Sequence, residues 1–502
     1  MTTCGYLINT AQSLPNKTAL IYGNEMHTYQ AINESSNSFS NYLVQKGLQL
    51  GDRVAVFLDN SLESVVSIFG IFKAGGTIVL INTATPAERM GYILQNCQPK
   101  FLVAHSSRQN FLVGMEKNCT VLPSNILVGT DETSGGVNRF EDACSKFSEG
   151  ITRTVSDDDV AAIVYTSGST GKPKGVTLTH KNFDVVTDAV SEYLEHTPND
   201  IILDFLPLTI TYGLLQLLVT FRTGGTLVLE KGFGFPYEII KQIKEKNVTG
   251  FAGVPTVYSM IMRLQLEGET FPLLRYITNA AAAMPYSFIP RLRKIFPTTK
   301  IYLMHGLTEC MRTTYLPPGQ IEKRPTSVGR GMKHVELWIQ DAKGNRLPPG
   351  QVGELIVSGP NIMKGYWNDP ENTNAVLSNG KKPGENILHT GDLFRTDVEG
   401  YFYYVSRMDD VIKSRGLKVS PLEVENVIYL CEDVLEVRVI GVPDEVLGMA
   451  VKAEIVLKKG SEVTKDQIKS HCQNRLEDFQ IPGIIEFVPS LPKSAGGKIR
   501  RV

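Results

Sequence analysis

Short apolar runs alternate with amphipathic stretches along the first third of the chain, and this alternation predicts a sheet covered by helices. Buried strands are predicted where apolar residues run without interruption, at 54–58, 77–81, 101–104, 160–165 and 201–206. Helices are predicted between the first of these strands, at 64–74 and 88–98. Strands and helices that alternate in this order imply a parallel sheet with helices on its faces.

The pattern changes after about residue 330 and again near residue 408, which predicts two further units. Short strands with glycine-rich turns, at 335–340 and 353–357, indicate a β-rich subdomain. Beyond Arg407–Asp410 a compact α+β unit is predicted, with helices and strands at 421–430, 434–442, 451–457 and 464–476. We therefore predict an α/β protein. Its large N-terminal domain, residues 1–408, combines parallel-rich sheets covered by helices with the β-rich subdomain, and a small α+β C-terminal domain, residues 409–502, follows.

The composition is that of a globular protein and narrows the class of function. Of the 502 residues, 42% are hydrophobic and 21% are charged, which excludes wholesale disorder. Lysine plus arginine number 51 against 52 for aspartate plus glutamate, so the chain shows no electrostatic footprint for nucleic acid or an anionic membrane. No apolar run is long enough to span a bilayer, and the N-terminus lacks the features of a signal peptide. The 7 cysteines are scattered and form no CxxC pair, which indicates reduced thiols and a cytoplasmic location.

One segment, directly after the apolar run 160–165, carries a dense set of small, hydroxylated and cationic residues. Small residues free backbone N–H groups to wrap an oxyanion, and hydroxyl and ammonium groups add donors and charge. The segment is not a Walker loop, because no Ser or Thr follows its lysine at the spacing that a magnesium ligand needs. A flexible surface loop is the alternative, but the length of the string favours a phosphate site. The predicted members of that site are Thr166, Ser167, Gly168, Ser169, Thr170, Gly171 and Lys174.

This string, Tyr165 to Gly175, resembles the phosphate-loop signature of the adenylate-forming superfamily. That superfamily comprises acyl- and aryl-CoA ligases, stand-alone nonribosomal peptide adenylation enzymes and luciferases. Further family signatures occur in the expected order along nearly the whole chain, at Lys73–Gly76 with Pro86–Arg89, Gly306–Glu309, Gly353–Leu355, Thr390–Asp392, Arg407–Asp410 and the terminus around Lys498.

The resemblance implies ATP and Mg²⁺ as cofactors and a reaction in two steps. A carboxylate attacks the α-phosphorus of ATP, which gives an acyl-adenylate and pyrophosphate. The thiol of CoA, or of a carrier-protein phosphopantetheine, then displaces AMP. Because the first step brings two anions together, cations and backbone donors are expected to carry most of the catalysis.

The resemblance also assigns roles to single residues, each of which has an ordinary structural explanation as well. Glu309 is implied to hold Mg²⁺, although a glutamate at a helix start can be a cap. Asp392 is implied to bind the ribose hydroxyls, although an aspartate in a turn often caps its own backbone. Arg407 is implied to touch the ribose or a phosphate, although it could be a solvated surface arginine. The predicted ATP- and AMP-binding set is completed by His305, Gly306 and Thr308.

Lys498 resembles the mobile C-terminal lysine that bridges the substrate carboxylate and the ATP phosphate during adenylation. Together with Thr166 and Glu309 it forms the predicted catalytic set. The small C-terminal domain is accordingly expected to be mobile and to move between the two steps. Asp409 lies where the family places its hinge. Gly416 resembles the glycine of the loop that lines the pantetheine tunnel, with a simple turn as the alternative.

Three positions depart from the family pattern. His305 stands where the family usually has an adenine-stacking Tyr or Phe, so that less apolar area is available for stacking. Acyl-CoA ligases often carry an aromatic-His pair where this chain has Thr209 and Ile210. Amino-acid-activating relatives place an aspartate, the partner of the substrate ammonium group, where this chain has Thr211, whose hydroxyl offers no countercharge.

The acid pocket is therefore expected to be neutral and mostly apolar, with walls from Thr211, Tyr212, Leu215, Ala281 and Met304. Because an unpaired ammonium group is costly to bury among such side chains, we expect a small or medium-sized carboxylic acid whose remainder is uncharged. An amino acid such as proline is the competing substrate, and Asp204 would then supply the missing negative charge.

The leading prediction is an ATP-dependent acid–thiol ligase that acts on free CoA or on a separate carrier protein, with no nucleic acid or membrane as partner. The residue patterns of two segments, Asn279–Pro285 and Gly306–Cys310, resemble those of compact ligases that load a carrier protein in natural-product assembly. The alternatives are a luciferase-like oxygenase, which nothing in the sequence selects, and an inactive nucleotide-binding protein. An inactive protein would be expected to lack Lys498, Glu309 or Asp392, and all three are present.

Overall fold

A computed structural model of the chain describes residues 1–116, 123–130, 138–145, 152–167, 172–232, 234–266, 268–380, 384–444, 447–494 and 496–501. The helices are α1 (Thr3–Ser13), α2 (Tyr29–Gln45), α3 (Leu62–Lys73), α4 (Ala87–Cys97), α5 (Gln109–Glu116), α6 (Phe140–Ser145), α7 (His180–Tyr193), α8 (Thr211–Thr223), α9 (Pro236–Glu245), α10 (Pro255–Ile261), α11 (Phe288–Ile295), α12 (Pro370–Val376), α13 (Pro421–Ile428) and α14 (Lys465–Gln473). Short 3₁₀ turns lie at Ser106–Arg108 and Pro318–Gln320.

The strands up to residue 305 are β1 (Thr18–Tyr22), β2 (Glu25–Thr28), β3 (Arg53–Phe57), β4 (Thr77–Leu80), β5 (Phe101–His105), β6 (Ser124–Val128), β7 (Asn138–Arg139), β8 (Val160–Ser167), β9 (Pro173–Thr179), β10 (Ile201–Asp204), β11 (Thr226–Leu229), β12 (Gly250–Gly253), β13 (Tyr276–Asn279) and β14 (Lys300–His305). The later strands are β15 (Thr314–Tyr315), β16 (Ser327–Gly331), β17 (Glu336–Gln340), β18 (Gly353–Ser358), β19 (Gly365–Tyr366), β20 (Leu377–Asn379), β21 (Asn386–Thr396), β22 (Phe402–Arg407), β23 (Ile412–Ser414), β24 (Leu417–Val419), β25 (Val434–Asp444), β26 (Gly448–Leu457) and β27 (Ile484–Phe487).

Within the described ranges the strands form three sheets, of 14, 8 and 5 strands. The 8-stranded sheet has the order β19-β9-β8-β4-β3-β5-β6-β7, and it is parallel from β8 to β7. The 14-stranded sheet runs β17-β18-β21-β22-β16-β15-β14-β13-β12-β10-β11-β1-β2, with β20 beside β21. It is parallel from β14 to β1 and antiparallel from β17 to β14, so the predicted β-rich subdomain continues this sheet. The predicted α/β fold class is confirmed.

Helix α3 lies between the two large sheets and is buried from Ser64 to Lys73. Its Phe69 ring stacks on Phe221 of α8 at 5.0 Å between ring centres, and Phe72 meets His180 of α7 edge to face at 5.7 Å. An apolar helix between two sheets explains why the run around 64–74 is hydrophobic on more than one face. The single charged side chain in this run, Lys73, is held by polar side chains of α2.

The five-stranded sheet, β24-β23-β26-β25 with β27 beside β26, has an apolar core of its own between Ile412 and Ile485. It touches the large sheets at a few points. The Tyr429 ring meets Phe288 edge to face at 5.4 Å, and Ser259 Oγ donates to the Leu435 carbonyl oxygen at 3.2 Å. The predicted domain boundary between residues 408 and 409 stays a prediction.

Most elements read from the sequence are confirmed to within a few residues. The largest difference is the last helix, predicted at 464–476, which ends at Gln473 as α14. Within the described ranges, no helix has the length and apolar character that crossing a bilayer requires. The six cysteines that the structure describes are free thiols.

Candidate active site

The carboxyl ends of the parallel strands β12, β13 and β14 lie side by side and gather much of the predicted site. Gly253 is in register with Asn279, and Asn279 with Leu303. In open α/β sheets, ligands bind beyond the carboxyl ends of such strands. The loop that follows β14 carries the predicted ATP-binding residues Gly306 and Thr308.

That loop is folded tightly back on itself. A Cβ at Gly306 would lie 2.2 Å from the Met311 carbonyl oxygen, so only glycine fits there. The amide of Asn361, which is fully buried, donates to the carbonyl oxygens of Cys310 at 3.0 Å and Arg312 at 2.8 Å. The far end of the loop is thereby fixed to the chain segment that precedes β19.

Glu309 and the predicted phosphate loop meet at a tyrosine. The Tyr366 hydroxyl donates to Glu309 Oε1 at 2.8 Å, and the Lys174 ammonium nitrogen lies 5.3 Å from the centre of the Tyr366 ring. Burial, reinforced by the charge of Glu309, raises the pKa of Tyr366, so the phenol stays a hydrogen-bond donor. Thr166 faces Lys174 in the antiparallel pair β8/β9.

The structure therefore brings Thr166 and Lys174 of the predicted phosphate loop near Glu309, which belongs to a different motif. Gly168, Ser169, Thr170 and Gly171 lie outside the described residues, and so does the side chain of Ser167.

A second group of predicted residues surrounds the carboxylate of Asp392, whose side chain is 3% exposed. His305 Nε2 lies 3.0 Å from Asp392 Oδ2, and His305 Nδ1 lies 2.8 Å from the Thr313 hydroxyl. The Arg407 guanidinium is 3.5 Å from Asp392 Oδ1, and the two residues face each other in the pair β21/β22. Burial disfavours the charge of Arg407, but Asp392 together with Tyr404, Glu309 and Asp410 outweighs burial, and the pKa of the guanidinium is raised.

The imidazole of His305 is thus fixed by hydrogen bonds at both nitrogens. Nε2 faces the Asp392 carboxylate and Nδ1 faces the Thr313 hydroxyl, which also donates to the His305 carbonyl oxygen at 3.1 Å. The imidazole ring also meets Phe394 edge to face at 4.9 Å. The predicted adenine-stacking residue is therefore bonded to the predicted ribose-binding residue, which the sequence did not reveal.

The predicted catalytic lysine reaches the same cleft from the C-terminal tail. Thr256 Oγ1 donates to the Gly497 carbonyl oxygen at 2.8 Å. A Cβ at Gly496 would lie 3.2 Å from Ile210, so the tail packs against the residue that precedes α8. These two contacts hold the loop that carries Lys498 against the large domain.

Lys498 itself remains exposed to solvent, yet the walls of the cleft lower the pKa of its ammonium group. Asp392 acts in the opposite direction and favours the charged form, while Arg407 adds a repelling charge. Three residues further on, Arg501 is ion-paired with Glu425 at 2.7 Å and with Asp410 at 3.5 Å, which anchors the tail. Lys498, Asp392 and Arg407 are thus brought together as predicted.

The predicted acid pocket lies at the start of α8 and at the ends of β13 and β14. Tyr212 and Leu215 are buried, and the Tyr212 hydroxyl is 2.7 Å from the Thr278 hydroxyl of β13. Met304 is buried at the end of β14, whereas Thr211 is half-buried and Ala281 is exposed. Ala281 has φ at +67°, an uncommon conformation for a residue with a Cβ. Three of the five predicted walls thus lie on the first turns of α8, and the other two lie at or just beyond the ends of β13 and β14.

Two predicted residues lie apart from the cleft. Asp409 is exposed in the turn after β22, as a hinge residue would be. Gly416 is exposed at the tip of the β23–β24 hairpin, with φ at +76° and room for a side chain. In this arrangement Gly416 shapes a turn, and its role at a tunnel stays a prediction.

Sequence reasoning missed three residues of the site. Tyr366 and Asn361 lie in a segment without a recognised motif, and they act through contacts that only the fold creates. Arg312 is buried at 3% exposure, with its guanidinium carbon 5.2 Å from the centre of the Tyr212 ring. A single charge within the otherwise neutral stretch 310–319 was the signal that could have identified it.

Comparison with known proteins identifies the family to which the chain belongs. Residues 7–367 match the family model of AMP-binding enzymes, and residues 423–498 match that of the AMP-binding enzyme C-terminal domain. The chain is 30% identical to a long-chain-fatty-acid–CoA ligase of Bacillus subtilis, over 99% of this chain and 92% of that protein. It is similar in structure to the anthranilate CoA ligase AuaEII in complex with anthranoyl-AMP, with a TM-score of 0.92, 28% identity and coverage of 99% and 95% of the two chains. It is also similar to o-succinylbenzoate CoA synthetase (MenE) from Bacillus subtilis in complex with ATP and magnesium, with a TM-score of 0.86, 27% identity and coverage of 99% and 98%.

The chain therefore belongs to the AMP-binding enzyme family, within the adenylate-forming superfamily. It is an AMP-forming acid–thiol ligase. The predicted family and type of enzyme are confirmed, while the roles of the individual site residues stay predictions.

Proposed function

We propose that the protein uses ATP and Mg²⁺ to convert a carboxylic acid into an acyl-adenylate and pyrophosphate, and then transfers the acyl group to a phosphopantetheine thiol. One observation carries the proposal: Lys498 of the C-terminal tail faces the cleft in which Asp392 and Arg407 meet. ATP, Mg²⁺ and an acyl-adenylate are ligands of the similar structures described above, which supports the same cofactors here.

A nucleotide fits the polar groups of this cleft. Asp392 Oδ1 is buried and receives no hydrogen bond within the described part of the protein. A buried carboxylate oxygen without a donor is costly, and a ribose hydroxyl would supply that donor. His305, which holds the other oxygen of Asp392, is placed to contact the base.

Mg²⁺ fits the donor set at Glu309. The ion prefers carboxylate oxygens together with phosphate oxygens and water, and Glu309 offers a carboxylate whose position is fixed by Tyr366. When bound there, the ion would supply positive charge that offsets the charge of the phosphate oxygens. Lys174, beside the same tyrosine, adds a second cation to this side of the cleft.

In the first step the cations of the chain bring two anions together. Lys498 would donate to the substrate carboxylate and to the α-phosphate, and Arg407 would oppose the charge on the nucleotide. Asp392 supports this role because it favours the charged form of the Lys498 ammonium group. The carboxylate can then attack phosphorus, and pyrophosphate leaves.

A carboxylic acid without an ammonium group fits this cleft better than an amino acid. Asp204, the predicted substitute countercharge, is fully buried, and burial raises its pKa well above the ordinary value. Burial therefore disfavours the negative charge that this role would require. Arg312 adds a positive charge beside Tyr212, where an amino acid would have to place its ammonium group.

The acceptor is the phosphopantetheine thiol of CoA or of a separate carrier protein. Named relatives that are CoA ligases favour CoA, whereas the motif style at 279–285 favours a carrier. The hairpin around Gly416 exposes three cations, Lys413, Arg415 and Lys418, which suit the phosphate groups that either acceptor presents. The cytoplasmic location expected from the sequence is compatible with both acceptors.

The test is acid-dependent exchange of labelled pyrophosphate into ATP, across a panel of carboxylic acids and amino acids. Lys498→Ala should abolish the exchange, and Lys459→Ala, at an exposed lysine of the same domain, should leave it intact. Adding CoA, or a phosphopantetheinylated carrier protein, to the adenylate-loaded enzyme then identifies the acceptor by AMP release. If ATP binds but no acid supports exchange, the proposed function is wrong.

A further inference from the structure

Arg312 is a cation that the fold buries. Its residue is 3% exposed, and within the described ranges no aspartate or glutamate forms an ion pair with it. Its Nε group has no hydrogen-bond partner there. The contacts that it makes are with two tyrosines, namely the face of the Tyr212 ring and the hydroxyl of Tyr193.

Neither tyrosine neutralises this charge. A guanidinium group cannot shed its proton at physiological pH, and a buried charge is costly unless it is paired. The face of an aromatic ring attracts a cation, but more weakly than an anion does. The Tyr193 hydroxyl is neutral and also lies 3.1 Å from Met304 Sδ, at the predicted acid pocket. The protein therefore holds a positive charge at a position that suits an anion.

The start of α8 adds a second group of donors at the same place. This helix has 13 residues, and the residue before it, Ile210, provides no side-chain cap. The first N–H groups of a helix lack intrahelical acceptors and carry a partial positive charge. Tyr212, on whose ring Arg312 lies, is the second residue of this helix, so the guanidinium group contacts a side chain of the first helical turn.

The contacts of Arg312 assign it to the acid rather than to ATP. Its partners Tyr212 and Tyr193 adjoin the predicted acid pocket. In the predicted nucleotide site, by contrast, His305 and Arg407 contact Asp392. The loop that carries Lys498 packs on Ile210, the residue before α8. The start of α8 is thus associated with Lys498, assigned to the reacting carboxylate, and with Arg312, a second cation that the reaction does not need.

We propose that Arg312 and the start of α8 bind a second anionic group of the acid, and that the substrate is a short dicarboxylic acid. This inference rests on the proposed ligase function and names its substrate class. A dicarboxylic acid differs from the substrate expected from the sequence, which was an acid with no second charge. That expectation considered only the five neutral residues of the pocket wall and did not include Arg312. One carboxylate reacts beside Lys498, and the other is held at Arg312.

The test compares dicarboxylic acids from malonate to adipate with their own monoamides in the pyrophosphate exchange assay. The monoamides have nearly the same shape but lack the second charge. For the best chain length, we expect kcat/KM for the diacid to exceed that for its monoamide by about 100-fold. Arg312→Gln should remove most of that preference, with little change for the monoamide or in the KM for ATP. Arg312→Lys should keep part of it.

The matched control is Arg346→Gln. Arg346 also lies over an aromatic ring, 4.3 Å from the centre of Trp338, but its side chain is 55% exposed and far from the predicted pocket walls in the fold. This variant should keep the full preference for the diacid. A merely structural Arg312 would lower the rates with diacid and monoamide alike and leave their ratio unchanged.

Each outcome is decisive. Equal or better exchange with the monoamides, or selective exchange with proline or another amino acid, would overturn the anion subsite while leaving the ligase function in place. Exchange with no acid at all would overturn both. If Arg312→Gln does not fold, thermal unfolding of the unmodified protein with ATP decides the question. The diacid should then raise Tm more than its monoamide, and an equal rise would refute the proposal.

Discussion

Replacing His305 with phenylalanine should have two opposing effects on ATP binding. Phenylalanine restores the aromatic residue that the family usually places there, and better stacking on adenine is worth about 0.5–1.5 kcal/mol. It also removes the two ring nitrogens, one of which lies 3.0 Å from Asp392 Oδ2 and the other 2.8 Å from the Thr313 hydroxyl. A hydrogen bond to a charged group contributes about 1.5–3 kcal/mol, and a neutral one about 1 kcal/mol.

The losses outweigh the gain. The Asp392 side chain is only 3% exposed, so water cannot replace the lost donor. We therefore expect His305→Phe to weaken ATP binding by about 1–3 kcal/mol, which corresponds to roughly 5- to 150-fold in Kd. The free energy of unfolding should fall as well, because the carboxylate loses a partner in the free protein.

Isothermal titration with ATP, combined with urea unfolding, measures both effects. A double-mutant cycle with Asp392→Asn isolates the bond between the two residues, and the coupling energy should be about 1–3 kcal/mol. Tyr404→Phe, which alters a neighbouring ring without breaking this bond, is the control. Tighter ATP binding by His305→Phe, or a coupling energy near zero, would show that the histidine is only a poor stacking residue and would refute this reasoning.

Four further predictions concern the catalytic cycle and the stability of the fold. Lys498→Ala should abolish adenylate formation yet spare thioester formation from supplied adenylate, measured as two separate half-reactions; equal loss of both would indicate general damage. Asp409→Pro should preserve pyrophosphate exchange but reduce thioester formation, because proline fixes φ at the proposed hinge, and unchanged turnover would place the hinge elsewhere. Gly416→Trp should also spare exchange and block thiol transfer, whereas Gly460→Trp, at an equally open glycine with φ at +84°, controls for backbone strain and should not. Burial lowers the pKa of Lys73 from 10.5 to about 7, so the unfolded chain binds a proton that the folded protein lacks between these values. The free energy of unfolding should therefore rise by up to about 1.4 kcal/mol per pH unit as the pH increases through this window. Urea unfolding from about pH 6.5 upward, just below the folded-state pKa, measures this slope, and Lys73→Met should remove it.

The parts of the site that recur as local motifs could be predicted from the sequence. Gly306, Asp392 and Lys498 are marked by their neighbours in the chain, and the alternating apolar runs fix most strands and helices. Local motifs carry this information because each requires a particular turn or backbone conformation, such as the close approach at Gly306.

The contacts between motifs could not be predicted. His305 and Asp392 are separated by 87 residues, and Tyr366 and Glu309 by 57, so their hydrogen bonds depend on how the sheets assemble. Arg312 was missed for a related reason. An arginine is usually solvated, and only the packing of the loop against α8 shows that this one is buried and unpaired.

The amide of Asn361 links the two substrate sites through the loop after β14. By holding the carbonyl groups of Cys310 and Arg312, it joins the stretch beside Glu309 to the stretch beside the acid pocket. We expect a change that a nucleotide causes at one end of the loop to alter acid binding at the other end, and the reverse holds by the same amount, because binding free energies are reciprocally linked. The two substrates of the first step should accordingly bind with synergy, each of them lowering the dissociation constant of the other.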